Sequence, residues 1–363
     1  MPLYNKIERC IIEKLKYRCI IIFEKRGNLS MSNFMDKIKE IAAGDRKTIV
    51  LAEGEERRTV DAAAQILKEG FADIILLGNT EKIREIAKDT DISGAKIIDP
   101  ETSELTADFA NRLYELRKAK GMTEEQAAET IKNVLYFGCM LVKAGMADGM
   151  VAGAVNSTAN VMRSSLQVLK TAPDAKVVSA FFLMIVPNCE YGENGTFIFS
   201  DCGLNEYPDA DKLAEIAVAS AKSFKALVGA EPKVAMLSYS TYGSAKSEQV
   251  DKVKEATEKA KALAPELKID GELQLDAAIV PAINQSKAPG SPIEGNANVL
   301  IFPNLDAGNI GYKLTQRLAK AEAYGPLTQG MARPVNDLSR GCSAEDIVGV
   351  AAITCVQAQQ RKD

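Results

Sequence analysis

Residues 149–163 read GMVAGAVNSTANVMR. An apolar run ending at Ala152 gives way to small residues, and Asn156, Ser157 and Thr158 then precede a helical pattern. The stretch is a strand, a small-residue turn and a helix start, which is one βα unit of a mainly parallel sheet. Small residues in the turn let a ligand approach the backbone, and Asn156, Ser157 and Thr158 can donate to phosphate oxygens at the positive end of the helix. Neither GxGxxG nor GxxxxGK(S/T) spacing is present, so the nucleotide fingerprints fail. Arg163, roughly two turns into the helix, has the default role of a surface arginine.

The same alternation runs outward in both directions. Upstream, strands are expected at Thr48–Ala52, Ile74–Leu77 and Ala95–Ile98, with helices at Arg57–Glu69, Thr80–Ala87, Glu104–Lys118 and Thr123–Ala144. The last two read as a helical hairpin around Gly121. Arg117, near the end of the first, complements the helix dipole by default. Downstream, strands are expected at Lys176–Ile185, Thr196–Ser200, Lys233–Ser238, Gly271–Gln274 and Asn298–Ile301, with helices at Asp209–Ala226, Lys246–Ala264 and Gly308–Ala319. A strand at Ala323–Leu327 and a helix at Ala344–Gln357 close the series. The pattern is that of an α/β protein, and 363 residues exceed what one hydrophobic core holds, so two domains are expected.

Composition narrows the chemistry. The chain has no histidine, which removes the commonest general base and transition-metal ligand and excludes Ser-His-Asp and Cys-His mechanisms. Seven scattered cysteines with no CxxC pair favour reduced thiols in a cytoplasm over disulfides or a zinc site. A net charge of −4 with both signs interspersed offers no face to nucleic acid and no polybasic membrane anchor. Residues 1–30 differ: seven basic residues surround the short apolar run Ile20–Phe23, too short to span a bilayer. They read as an extension outside the fold, which begins near Met31; a membrane-surface helix is the sharper alternative.

The densest polar cluster is Asn336–Asp346, ahead of the apolar helix Ile347–Cys355. It can deliver hydroxyl, guanidinium and backbone N–H groups to a helix N-terminus, a setting for an acyl phosphate. Ser343 and Asp346 also have the spacing of a capping box, which alone accounts for both. The blocks Tyr239–Lys246 and Asn309–Lys313 again join strands to helices. Each alone is more often a turn and cap than a site, but several at strand carboxyl ends point to a shared crevice.

With the blocks DGMVAGA at 148–154, Thr158–Ser164, Ser238–Ser247, Pro303–Tyr312, Gly325–Gly330 and Asn336–Asp346, the chain from about Met31 onward resembles the phosphate acetyltransferase family, relatives of the phosphate butyryltransferases. The resemblance implies two three-layer α/β domains with mainly parallel sheets and an active cleft between them: 31–174 plus 326–363, and 175–325. It also implies a homodimer.

The implied activity is reversible acetyl transfer between acetyl-CoA and inorganic phosphate in a ternary complex. Coenzyme A, acetyl phosphate and phosphate would be the partners, with no bound cofactor, no metal, no nucleic acid and no membrane. By the same resemblance Asp346 would be the base for the thiol, Ser339 would orient it, and Arg340 would stabilise the transition state. Arg117 and Arg163 would bind phosphate-bearing groups. Asn156, Ser157, Thr158, Tyr312 and Cys342 are further substrate-binding candidates. Cys342 could in principle accept the acyl group, but without histidine its activation depends on the helix terminus and Arg340, so packing or cleft lining is the expectation. A phosphate butyryltransferase and a noncatalytic acyl-CoA-sensing module are the competing readings. An isocitrate-type dehydrogenase would need a metal-binding carboxylate cluster and a nicotinamide site that the sequence does not display.

Overall fold

The structure, a computed structural model, describes residues 32–360, so the expectations for residues 1–30 lie outside the described residues. The chain divides into two units, Met1–Lys37 and Ile38–Asp363. The first described helix is α1 (Ser32–Gly44). In the larger unit the first series is β1 (Lys47–Leu51), α2 (Arg57–Glu69), β2 (Ala72–Leu77), α3 (Thr80–Ile86), β3 (Lys96–Ile98), α4 (Thr106–Arg117), α5 (Glu124–Thr130), α6 (Val134–Lys143), β4 (Gly149–Ala152) and α7 (Thr158–Val168). The second is β5 (Ser179–Ile185), β6 (Thr196–Ser200), α8 (Ala210–Val228), β7 (Lys233–Leu237), α9 (Glu248–Leu263), β8 (Lys268–Leu273), α10 (Leu275–Ile279), α11 (Pro281–Lys287), β9 (Val299–Ile301), α12 (Leu305–Leu318) and β10 (Glu322–Gln329). The chain then returns through β11 (Val335–Asp337) to α13 (Ala344–Gln359).

The first sheet has the order β11-β4-β1-β2-β3 and is parallel throughout, with Val50 opposite Met150 and Met150 opposite Val335. Parallel strands need both faces covered. Val50, Ile75, Met150 and Val335 belong to one core with Phe109 and Leu113 of α4 and Phe137 and Leu141 of α6. Helices α2 and α13 pack against the sheet and each other. Gly149 permits the approach of α13, because a Cβ there would lie 2.6 Å from the Thr354 methyl carbon.

The second sheet has the order β10-β5-β6-β9-β7-β8. Its β6, β9, β7 and β8 are parallel, whereas β10, β5 and β6 are antiparallel to one another in turn. The mainly parallel α/β architecture therefore carries an antiparallel edge. The two crossings between the sheets pair with each other: Ala172 N–H donates to Gly330 at 2.9 Å and Ala332 N–H to Lys170 at 3.0 Å.

Several elements differ from expectation, beginning with α1, where no helix was expected. The stretch Thr123–Ala144 is two helices, because Asn133 caps α6 by accepting from Leu135 N–H at 2.9 Å. Helices α10 and α11 occupy a stretch that carried no expected element. Strand β11 (Val335–Asp337) overlaps the start of the segment Asn336–Asp346 read as a polar loop. Asn336 is fully buried there because its side chain bonds Thr328, Thr354 and Gln357 at 2.7–2.8 Å, so hydrogen bonds replace the apolar pattern. Among the described residues no helix is long and apolar enough to cross a membrane.

Candidate active site

Strand carboxyl ends of both sheets meet at a cleft with two adjoining compartments. The larger, about 420 Å³, is bordered by Asn156, Ser157 and Thr158 at the start of α7, by Asn309, Tyr312 and Lys313 of α12, and by Ser339 and Arg340 after β11. The smaller, about 180 Å³, has Tyr324, Cys342, Asp346 and Val350 in its lining. Phe182, Tyr312, Lys313, Leu338 and Ser339 border both. Most of the residues singled out from sequence thus converge on one space.

The α12 wall is rigidly built. The Tyr312 ring stacks on Phe182 at 3.9 Å, and Lys313 Nζ lies 4.7 Å from the Tyr312 centroid and donates to Asn309 at 2.6 Å. The helix begins at Leu305, three residues before the expected Gly308, because the Asn304 side chain accepts from Ala307 N–H at 3.0 Å. Gly308 lets it approach the end of β6, where a Cβ would lie 2.3 Å from the Asp201 carbonyl. Asp201 in turn ties its own turn together, accepting from the N–H groups of Gly203, Leu204 and Asn205 at 2.7–3.2 Å. Burial pushes its carboxyl above the usual range against those bonds.

The turn after β4 is where the structure departs most from its sequence reading. Its backbone N–H groups converge on an anion, and that anion is Glu53. The carboxylate accepts from Gly153, Ala154, Val155 and Asn156 N–H at 2.7–3.1 Å and from the Asn156 side-chain amide at 2.9 Å. Ser157 caps α7 by accepting from Asn160 N–H at 3.3 Å, and the Thr158 hydroxyl donates to Asp337. All three residues border the larger compartment, but the Asn156 amide donors and the Thr158 hydroxyl already serve the protein.

Asp337 is 1% exposed, and its Oδ1 has no hydrogen-bond partner. Burial raises its carboxyl to about 7, opposed by the Thr158 bond and reinforced by the charge of Glu53. Gly153 makes this packing possible: its φ is +112°, and a Cβ would lie 2.2 Å from Asp337 Oδ1.

The loop 339–343 is held from outside by Arg58, whose Nη1 donates to the carbonyls of Arg340 and Cys342, both at 2.9 Å. Ser339 and Arg340 are exposed to the cleft, and Asp346 is half-buried. Ser343 and Asp346 form the capping box, with the carboxylate Oδ2 accepting from Ser343 N–H at 2.8 Å and from its hydroxyl at 3.0 Å. Cys342 is 7% exposed, and burial pushes its thiol up to about 11 against the pull of Arg58. Those surroundings make a cleft-lining thiol, not a nucleophile.

Arg117 and Arg163 border neither compartment. Both act on the phenol of Tyr136, where their charges oppose the upward push of burial. The Arg117 Nε is buried without a partner, and Arg163 donates to Asn160 at 3.1 Å. The block Tyr239–Lys246 also lies apart from both compartments. Glu272 organises its turn, accepting from the Ser240 hydroxyl at 2.8 Å and Gly243 N–H at 2.7 Å.

Sequence reasoning passed over Glu53 and Arg58, and it gave Lys313 and Asp337 no role of their own within the blocks it singled out. One signal existed for Arg58: Arg57 and Arg58 open α2, where the helix dipole disfavours cations. A cation there implies strong acceptors nearby.

Comparison with known proteins identifies the family. The family model described as "Phosphate acetyl/butaryl transferase" matches residues 33–355. A phosphate acetyltransferase of Acetivibrio thermocellus is 66% identical over 91% of this chain and 99% of its own. One of Thermoanaerobacterium thermosaccharolyticum is 61% identical over 90% and 100%. The solved EutD phosphotransacetylase of Staphylococcus aureus is 46% identical, covers 91% of this chain and 100% of its own, and superposes with a TM-score of 0.83.

Proposed function

The chain belongs to the phosphate acetyl/butyryl transferase family, and from that premise we propose that acetyl transfer takes place where the loop after β11 enters the cleft. The protein is an acyltransferase: acetyl-CoA and inorganic phosphate exchange for coenzyme A and acetyl phosphate. The observation that carries the reading is that Ser339 borders both compartments, with Arg340 and Lys313 beside the larger and Asp346 in the lining of the smaller.

In the direction that forms acetyl-CoA, the thiol of coenzyme A attacks the carbonyl carbon of acetyl phosphate. The sulfur–carbon bond forms, the carbon–oxygen bond to phosphorus breaks, phosphate leaves, and the thiol proton passes to Asp346. Both Ser343 bonds fall on Asp346 Oδ2, so Oδ1 is the oxygen that receives the proton. Ser339 orients the thiol. Arg340, supported by Lys313, opposes the charge that grows on the carbonyl oxygen before phosphate departs. Cys342 shapes the wall, and both substrates are present together without an acetylated enzyme.

Arg117 and Arg163, beyond the compartments, receive phosphate-bearing groups of coenzyme A; the positive charge that the two bring to one place beside Tyr136 supports this. Ile310, Leu314 and Leu318 form an exposed apolar stripe on α12, 58%, 52% and 79% accessible, which supports a homodimer. The five described cysteines are all unpaired, in keeping with a cytoplasmic setting.

The test is thioester formation from acetyl phosphate and coenzyme A, in wild type and Asp346→Asn, with butyryl phosphate alongside. Turnover is expected to fall by about 10²- to 10⁴-fold in the variant with coenzyme A binding kept. Unchanged turnover would remove Asp346 as the base, and a butyryl preference would change the acyl substrate.

A further inference from the structure

Arg58 holds the loop carrying Ser339 and Arg340 by its backbone. Besides the two bonds from Nη1 to Arg340 and Cys342, Nη2 donates to the carbonyl of Ala154 at 3.1 Å, and Nε donates to Glu56 at 2.8 Å. One planar group thereby joins the turns that follow β1, β4 and β11. Arg58 Nη1 also lies 3.8 Å from Cys342 Sγ, and the other hydrogen bonds described for residues 339–342 are internal to the loop: Cys342 N–H to the Ser339 carbonyl at 2.9 Å and Gly341 N–H to the Ser339 hydroxyl at 3.3 Å. Fixing the Arg340 carbonyl fixes the plane of the peptide that follows it, and with it the orientation of the residues on either side.

We propose that Arg58 is a positioning residue for acetyl transfer: by holding the carbonyls of Arg340 and Cys342 it sets the direction from which Ser339 and Arg340 face the reacting carbonyl. The proposal rests on the assignment of the chemistry to that loop. Arg58 borders neither compartment, so its removal deletes no wall of the cleft. What its removal releases is the loop itself, and a misplacement of about 1 Å is enough to cost on the order of 10²-fold in rate.

The experiment is a kinetic cycle of Arg58→Ala, Arg340→Ala and the double variant, with Arg58→Lys and thermal unfolding in parallel. In Arg58→Ala, kcat is expected to fall by roughly 10- to 100-fold with KM for both substrates little changed. Arg58→Lys, which keeps the charge but not the planar fork, recovers part of the loss. In the Arg340→Ala background the further effect of Arg58→Ala is much smaller than in wild type, because the two act through one loop.

Equal effects in both backgrounds, a loss confined to KM, or an unchanged kcat in Arg58→Ala would each overturn the proposal. Should Arg58→Ala not fold, Arg58→Lys closes the same cycle with the same criteria. If Arg340→Ala alone keeps wild-type kcat, the assignment of chemistry to the loop falls and the proposal with it. That outcome is read from the single variant, so it is distinct from failure of the cycle.

Discussion

Asp346 and Ser343 hold each other at the first turn of α13: the carboxylate accepts from Ser343 N–H at 2.8 Å, and the serine hydroxyl oxygen accepts from Asp346 N–H at 3.1 Å. Cap and proposed base are therefore one unit. The capping reading of this pair and the catalytic reading describe different oxygens of the same carboxylate, so the two do not compete. Ser343→Ala separates them. It should lower stability by about 1 kcal/mol and reduce kcat less than Asp346→Asn does, since the carboxylate remains. Chemical denaturation and steady-state kinetics on the same preparation test this; equal kcat losses in the two variants would show that Ser343 itself enters the chemistry.

Glu53 fills the turn after β4, and Glu53→Gln leaves that turn with one acceptor oxygen and an NH₂ group among donors. Stability should drop by about 2–4 kcal/mol, the range for buried charged hydrogen bonds left unmatched. Urea unfolding measures it. A midpoint equal to wild type would mean that the turn holds its shape without the anion.

Asp337 should make stability depend on pH in the direction opposite to an ordinary salt-bridged carboxylate. Its folded pKa, about 7, lies above the 3.8 of an ordinary aspartate. Between those values the folded state keeps a proton that the unfolded state has lost, so its contribution falls as pH rises through the folded pKa. Unfolding curves between about pH 5 and 8 should give wild type a more negative slope than Asp337→Asn, which cannot ionise. Identical slopes would show that Asp337 does not titrate in that window.

Arg117→Ala and Arg163→Ala should raise KM for coenzyme A by roughly 10- to 150-fold, the equivalent of losing a charged hydrogen-bonded pair. KM for acetyl phosphate should stay near wild type, because neither residue borders the compartments. A matching rise for both substrates would place these arginines at the reacting groups instead.

The α/β architecture was legible because β-branched runs and helical stretches alternate clearly: α2 and β6 begin and end where the sequence indicates. Strand β11 was not legible, since Asn336 and Asp337 are polar and are held by hydrogen bonds to partners on β10, α7 and α13 instead of by apolar packing. The polar blocks Asn336–Asp346 and Asn309–Lys313 were found because residue type and placement before or within a helix are local properties. Glu53 and Arg58 were missed because they act on loops about 100 and 280 residues away in sequence. A single chain carries no local mark of such partners beyond an arginine set against a helix dipole.

The anion held by the turn after β4 has one further consequence. An empty nest of four backbone N–H groups would grip inorganic phosphate tightly and hold it after each turnover. With Glu53 seated there, phosphate meets no such nest, and the cations that border the larger compartment, Lys313 and Arg340, are solvent-exposed. Loose retention of that ligand suits a reaction that must run both ways: phosphate can enter as a reactant and depart as a product without a deep thermodynamic trap on either side.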